Sequence, residues 1–120
     1  MSDDKILIVD DDKNMLEVLR FRIESEGYKV VTATEAKDAL ELANAEIFDL
    51  ALVDLRLVGK NGIELMKDLH ALAPEMPVII LTAYGTVETA VEAMKLGAYS
   101  YLTKPFDYLE LLFQIRKGLE

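Results

Sequence analysis

The sequence has 120 residues with a formal net charge of −9, and its lysines and arginines are scattered, which excludes a basic surface for direct binding of nucleic acid. Its 52% hydrophobic and 29% charged residues fit a globular chain without a disordered tail, so we expect a single domain over residues 1–120. The absence of cysteine excludes disulfide frameworks and thiolate metal sites.

The N-terminus and the apolar runs bear on the location of the protein. The opening MSDDK is acidic and no apolar signal region follows it. No apolar run approaches the roughly 20 residues that a membrane span needs. We expect a cytoplasmic protein that makes no contact with a membrane.

Five short apolar runs alternate with segments of helical period. The runs predict strands over residues 5–10, 28–33, 49–54, 77–82 and 99–104. Helical spacing predicts five helices at Leu16, Leu19 and Ile23; at Ala36, Leu40 and Ala43; at Met66, Leu69 and Ala73; at Val87, Ala90, Val91 and Met94; and at Leu109, Leu112, Phe113 and Arg116. The order (βα)5 predicts an α/β domain with a parallel sheet.

Residues typical of helix ends support these boundaries. Gly27 and Gly97 lie where the first and fourth helices should end. Asp12 is interpreted as the cap of the first helix, and Asp107 with Glu110 resembles a capping box that opens the last.

The character of each run predicts its place in the sheet. The first, third and fourth runs are apolar on both faces, as central strands covered by helices must be. The second and fifth carry polar residues that suit the edges. Right-handed crossovers then give a doubly wound, flavodoxin-like sheet of order 2-1-3-4-5, with a ligand crevice where the winding reverses between strands 1 and 3.

Five polar residues end the predicted strands at the carboxyl edge of the sheet. They are Asp10 and Asp11, Asp54, Thr82 and Lys104. Adjacent carboxylates repel one another unless a cation lies among them, so capping alone does not account for the three aspartates. A cluster of carboxylate oxygens without histidine or thiolate favours Mg²⁺.

A metal beside carboxylates indicates phosphate chemistry. Asp54 is the best candidate for a nucleophile that forms an acyl phosphate, with Lys104 and Thr82 as partners of the phosphoryl oxygens. The only histidine, His70, is interpreted as a surface residue of the third helix.

These residues together resemble the receiver domain of two-component response regulators, over essentially the whole chain. The resemblance is carried by Asp10-Asp11, Asp54, Thr82-Ala83 and Lys104-Pro105, each at the end of its own strand. The stretch from Leu81 to Asp107 is most similar to receivers of nitrogen-regulation-type activators that work with the sigma-54 factor.

The resemblance implies that Asp54 accepts a phosphoryl group from a sensor histidine kinase. Asp11, Asp54 and the backbone carbonyl of Arg56 would bind Mg²⁺ directly, and Asp10 would help through water. Lys104 and Thr82 would hold the phosphoryl group beside the Ala83 backbone N–H.

The resemblance also implies a switch. Tyr101 would turn inward when Thr82 moves, and the Lys104–Pro105 peptide would be cis. The face formed by helix 4, strand 5 and helix 5 would change, to control an output domain in a longer chain or to promote a homodimer. Such a domain catalyses only its own phosphorylation and dephosphorylation.

Two positions are expected to set how fast the phosphoryl group is hydrolysed. Arg56 and Tyr84 stand two residues after Asp54 and after Thr82, and both are large. The sequence departs from the family pattern at Leu57-Val58, which replace a frequent Met-Pro pair, so that this loop is expected to be more mobile.

Two other protein classes share parts of this pattern. A haloacid-dehalogenase-type phosphatase would use Asp10 as its nucleophile, but Asn14 stands where threonine or valine should be. A flavodoxin-like electron carrier needs a first loop that cradles a phosphate, which adjacent aspartates would repel.

Overall fold

A computed structural model describes residues 3–83 and 85–120. Seven strands and five helices follow one another in the described chain: β1 Lys5–Val9, α1 Lys13–Glu24, β2 Lys29–Ala33, α2 Ala36–Ala45, β3 Leu50–Asp54, β4 Arg56–Leu57, β5 Lys60–Asn61, α3 Gly62–Leu72, β6 Val78–Thr82, α4 Val87–Lys95, β7 Ser100–Thr103 and α5 Tyr108–Leu119. The five predicted strands are β1, β2, β3, β6 and β7, each within one residue of its predicted start.

The main sheet has the order β2-β1-β3-β6-β7, and all its neighbouring strands are parallel. This confirms the predicted order, including the two edge strands. Every residue of β3 and β6 is buried, as expected for strands with helices on both faces. The winding reverses between β1 and β3, so a crevice opens at their carboxyl ends.

Alternate strand residues contribute to two hydrophobic layers, one on each face of the sheet. Leu7, Ala51 and Ile80 pack in the layer that α2, α3 and α4 cover. Ile8 and Leu52 pack in the other layer, which α1 and α5 cover. The alternation follows from the period of two in a strand, and it makes the sheet a rigid support for its carboxyl edge.

Caps fix the helix boundaries near that edge. The Asp12 side chain accepts N–H bonds from Asn14 and Met15, which confirms it as the cap of α1. Asp107 accepts the Leu109 N–H at 2.8 Å, whereas Glu110 accepts a bond from the Gln114 side chain, so the reciprocal half of the predicted capping box is replaced.

Two features differ from the sequence prediction. The loop after Asp54 forms a two-stranded antiparallel ribbon, β4 with β5, that periodicity did not indicate. His70 is half-buried rather than a surface residue, because its Nε2 lies 2.9 Å from the Met76 carbonyl oxygen and joins the end of α3 to the segment before β6.

Helices α4 and α5 each leave apolar side chains exposed to solvent. Of the residues in α4 only Ala93 is buried, and in α5 Leu111 and Ile115 are. We call the exposed set the α4–α5 face, and its members are Val87, Val91, Met94, Leu109 and Phe113. Within the described residues, no helix has the length and apolarity to cross a bilayer.

Candidate phosphoryl-acceptor site

The sheet brings the predicted polar residues to one edge. Asp10 directly follows β1, Asp54 and Thr82 end β3 and β6, and Lys104 directly follows β7. Asp10, Asp54 and Thr82 are buried, with 1%, 7% and 0% of their surface exposed. Asp11, next to them, is exposed. The site therefore consists of buried polar residues and is exposed to solvent at Asp11.

Lys104 is the centre of the charged network. Its Nζ donates to Asp10 Oδ2 at 2.8 Å and to Asp54 Oδ1 at 3.4 Å. The second oxygen of Asp10 accepts the Asp12 N–H at 2.9 Å. The Lys104 backbone N–H donates to the Thr82 carbonyl at 2.7 Å, which holds the start of the β7–α5 loop beside β6.

The electrostatics of the site disfavour the ionised form of Asp54. Burial, which is the largest cause, and the charge of Asp10 raise the pKa of Asp54 to about 6, although the charge and hydrogen bond of Lys104 act in the opposite direction. The pKa of Lys104 is raised: burial lowers it, but the hydrogen bond and charge of Asp10, together with Asp54, outweigh that effect. The carboxylates outnumber the cations here, so an added cation would be stabilised.

The donor set fits a hard divalent cation. One carboxylate oxygen from each of Asp10, Asp11 and Asp54 lies within 4.8 Å of the others. In residues 3–83 and 85–120, no other group of three potential ligands is as close. Oxygen ligands with an open side for water are typical of Mg²⁺ and Ca²⁺ sites.

The start of α3 packs closely against the backbone of Asp54. A Cβ atom added to Gly62 would lie 2.3 Å from the Asp54 backbone oxygen, so only glycine allows the helix to come this close. The Gly62 N–H also donates to the Leu55 carbonyl at 2.7 Å. The contact fixes the backbone of Asp54 at the mouth of the crevice.

The remaining predicted positions lie around this network. Ala83 follows Thr82 and is exposed, and Arg56 is exposed in β4. The Lys104–Pro105 peptide is cis, as the resemblance implies. Tyr84, predicted to affect hydrolysis, lies outside the described residues. The metal-binding and hydrolysis roles of these positions stay predictions.

Two threonines at the start of α4 were not predicted from the sequence, and one of them contacts the predicted switch residue. The hydroxyl of half-buried Tyr101 lies 2.7 Å from Thr89 Oγ1, in the first turn of α4. Thr89 and Thr86 form a reciprocal capping box. The spacing Thr-x-x-Thr before an apolar run was the available signal, but a capping box usually has glutamate or glutamine at the second position.

Comparison with known families decides between the candidate functions. Residues 6–116 match the family model described as the response regulator receiver domain. The chain belongs to the response regulator receiver family. The match spans every strand of the main sheet apart from one residue of β1, and each residue of the charged network. The predicted receiver domain is confirmed, and no comparison supports the phosphatase alternative.

The relatives of this receiver domain include transcriptional regulators. It is 44% identical to the transcriptional regulatory protein ZraR of Escherichia coli over 114 residues, and 42% identical to the alginate biosynthesis regulator AlgB of Pseudomonas aeruginosa over 116. The aligned parts make up 95% and 97% of this chain but only 26% of each relative. The predicted resemblance to transcriptional activators is thus confirmed, and the chain spans about a quarter of the length of these relatives.

Solved structures agree with the fold. A receiver domain protein from Methanospirillum hungatei has a TM-score of 0.94 and 38% identity, covering 98% of this chain and 94% of that one. A response regulator from Burkholderia pseudomallei, solved with a phosphorylated aspartic acid, a calcium ion and citrate, has a TM-score of 0.89 and 35% identity, covering 98% and 69%.

Proposed function

We propose that this receiver domain accepts a phosphoryl group on Asp54 from the phosphohistidine of a sensor kinase. The observation that carries the proposal is the position of the Asp54 carboxylate, buried at a strand end between Lys104 and the cation-binding carboxylates. An Asp54 oxygen forms the new bond to phosphorus while the bond from phosphorus to the histidine nitrogen breaks. That nitrogen leaves with the bonding electron pair.

The charged residues around Asp54 suit this transfer. We propose that Asp10, Asp11, Asp54 and the Arg56 carbonyl hold Mg²⁺, which when bound neutralises phosphoryl oxygens. The ion would also offset the repulsion that raises the pKa of Asp54, and so favour the ionised nucleophile at neutral pH. Lys104 would exchange part of its contact with Asp10 for a phosphoryl oxygen, which accepts a charge-assisted hydrogen bond.

The end of β6 would complete the phosphoryl site. The Thr82 hydroxyl and the Ala83 backbone N–H can donate hydrogen bonds to phosphoryl oxygens once the loop after β6 moves. The Tyr101 hydroxyl is bonded to Thr89 of α4, which supports a switch role for Tyr101. All the residues proposed to contact the phosphoryl group belong to the domain, so we propose that the domain catalyses its own phosphorylation and dephosphorylation and no other reaction.

The output is proposed to act through the α4–α5 face. Its apolar side chains are exposed, and Thr89 of α4 contacts Tyr101, so movement of Tyr101 would change what the face binds. We propose that phosphorylation promotes a homodimer or engages an output domain of a longer regulator through this face. The full receiver is proposed to cover residues 1–120 and to work in the cytoplasm, in transcription activation of the nitrogen-regulation type.

Acetyl phosphate with Mg²⁺ tests the acceptor directly. After incubation, digestion and mass spectrometry should place one phosphoryl group on Asp54, and Asp54→Asn should carry none. Omitting Mg²⁺ should abolish labelling. A label on Asp10 instead would support the phosphatase mechanism and overturn the proposal.

A further inference from the structure

Tyr101 and α4 are joined by a hydrogen bond between two side chains. Tyr101 lies in β7, and its ring packs against the layer that α2, α3 and α4 cover. Its hydroxyl lies 2.7 Å from Thr89 Oγ1, the usual distance for an O–H···O bond. The bond ties an edge strand of the sheet to the first turn of the neighbouring helix.

The Thr89 hydroxyl also holds the cap of α4. It accepts the Thr86 backbone N–H at 3.0 Å, while Thr86 Oγ1 accepts the Thr89 N–H at 3.1 Å. The Thr89 side chain therefore contacts both the N-terminal cap of α4 and the Tyr101 hydroxyl. Of the residues in α4 only Ala93 is buried, so α4 depends on these polar contacts more than its neighbours do.

Gly85 lies close to both the Tyr101 hydroxyl and the side chain of Thr82. Three residues separate Thr82 from Thr86, and Gly85 is one of them. A Cβ atom at Gly85 would lie 2.9 Å from the Tyr101 hydroxyl oxygen and 3.1 Å from Thr82 Cγ2. Because Gly85 leaves no room for a side chain beside Thr82 and Tyr101, we expect a movement of Thr82 toward a phosphoryl group to change the surroundings of the Tyr101 hydroxyl.

We infer that Thr89 is a positioning residue of the switch, whose hydroxyl holds Tyr101 and the first turn of α4 in the arrangement of the unphosphorylated domain. The contact coexists with an Asp54 carboxylate bonded to Lys104, so it belongs to that arrangement. Activation breaks or redirects the bond, and the bond therefore lowers the population of the active state. The inference rests on the proposed function.

The test compares variants in their affinity for beryllofluoride with Mg²⁺, measured by ¹⁹F NMR. Thr89→Val keeps the shape of the side chain and removes the hydroxyl. Thr86→Ala is the matched control, because it weakens the same cap and leaves the bond to Tyr101. Loss of a hydrogen bond of typical strength in the inactive state predicts that T89V binds about three- to tenfold more tightly than T86A.

Tyr101→Phe removes the same bond from the other side and leaves the cap of α4 intact. We expect Y101F also to bind beryllofluoride more tightly than the wild type does. When the bond is already absent in Y101F, adding T89V should change the affinity no more than T86A changes it in the wild type. The conservative variant Thr89→Ser should return to the wild-type affinity. These outcomes would not follow from a loss of helix stability alone.

Each negative result has a distinct meaning. If T89V binds beryllofluoride no more tightly than T86A, or if T89V and Y101F are additive, Thr89 has no role in the switch. If the wild-type domain binds no beryllofluoride with Mg²⁺, the proposed function fails and the inference fails with it. Thermal unfolding followed by circular dichroism establishes that each variant is folded.

Discussion

Asp54 and Asp10 are buried side by side and share a single lysine. Such an arrangement destabilises the fold once both carboxylates are ionised, since neither burial nor repulsion favours the charged form. Residues that bind a charged substrate are often held in arrangements that lower the stability of the fold.

We expect Asp54→Asn to stabilise the domain at pH 7 in the absence of divalent ions. The pKa of Asp54 lies near 6 in the folded state and 3.8 is its ordinary value, so the folded state binds more protons between these pH values. The stability contributed by the protonated form is present below pH 3.8 and is lost as the pH rises through 6. The gain for D54N should be about 1–2 kcal/mol at pH 7, after allowance for solvent screening.

Urea unfolding at pH 7 and at pH 4 measures this difference. The advantage of D54N should largely disappear at pH 4, and Mg²⁺ should reduce it at pH 7 by stabilising the wild type. Glu41→Gln, an exposed substitution in α2, is the control and should change stability little at either pH. A D54N variant less stable than wild type at pH 7 would contradict the electrostatic account.

Arg56 is a large residue close in sequence to the acceptor. It is exposed in β4, two residues after Asp54. We expect the R56A/Y84A double variant to lose phosphate several-fold faster than wild type, because large side chains limit the approach of water to the acyl phosphate. Phosphate release after a pulse of acetyl phosphate gives the rate, and Val58→Ala in the same loop is the control. Equal or slower decay in the double variant would contradict the shielding role.

Among the helices, α4 has the fewest buried residues. It buries Ala93 alone, while α1 buries Leu16, Leu19 and Ile23. We expect the backbone amides of α4 to exchange hydrogen faster than those of α1 under native conditions, because fewer apolar contacts oppose its local opening. Exchange followed by mass spectrometry compares both helices in one sample, and equal protection would contradict the expectation.

The apolar pattern predicted the existence of every helix but not the partner of each apolar face. In α4 and α5 the recurring Val91, Met94 and Phe113 are exposed, and Leu111 and Ile115 contact the core. Periodicity indicates that one face of a helix is apolar, but it does not indicate whether that face packs against the same chain. Strand order was predictable because a strand that is buried on both faces consists largely of apolar residues, as β3 and β6 do.

The candidate site was predictable for a different reason. Parallel strands place their carboxyl ends at one edge, so Asp10, Asp54 and Lys104 could be brought together from strand assignment alone. The contact between Tyr101 and Thr89 could not, because it depends on the rotation of α4 about its own axis. The closeness of Gly62 to Asp54 likewise depends on where α3 starts, which the ribbon β4–β5 determines.

For the whole molecule, the α4–α5 face predicts a change of oligomeric state. Beryllofluoride and Mg²⁺ should increase the mass measured by light scattering from monomer to dimer, and Val91→Asp should prevent the increase because it places a charge in the apolar face. Ile47→Asp is the matched control, since Ile47 is 86% exposed and belongs to the connection between α2 and β3. A mass unchanged by beryllofluoride would contradict the proposed dimer.

The ion pair between Asp10 and Lys104 joins residues that are 94 positions apart in the chain. On a ribosome, Asp10 and Asp54 emerge long before Lys104, and β7 cannot add to the sheet until β6 is in place. During that interval Asp10 and Asp54 lack Lys104, the residue that offsets their repulsion in the folded domain. We therefore expect the proposed capacity to receive a phosphoryl group to arise only after Lys104 has been made and β7 has joined the sheet.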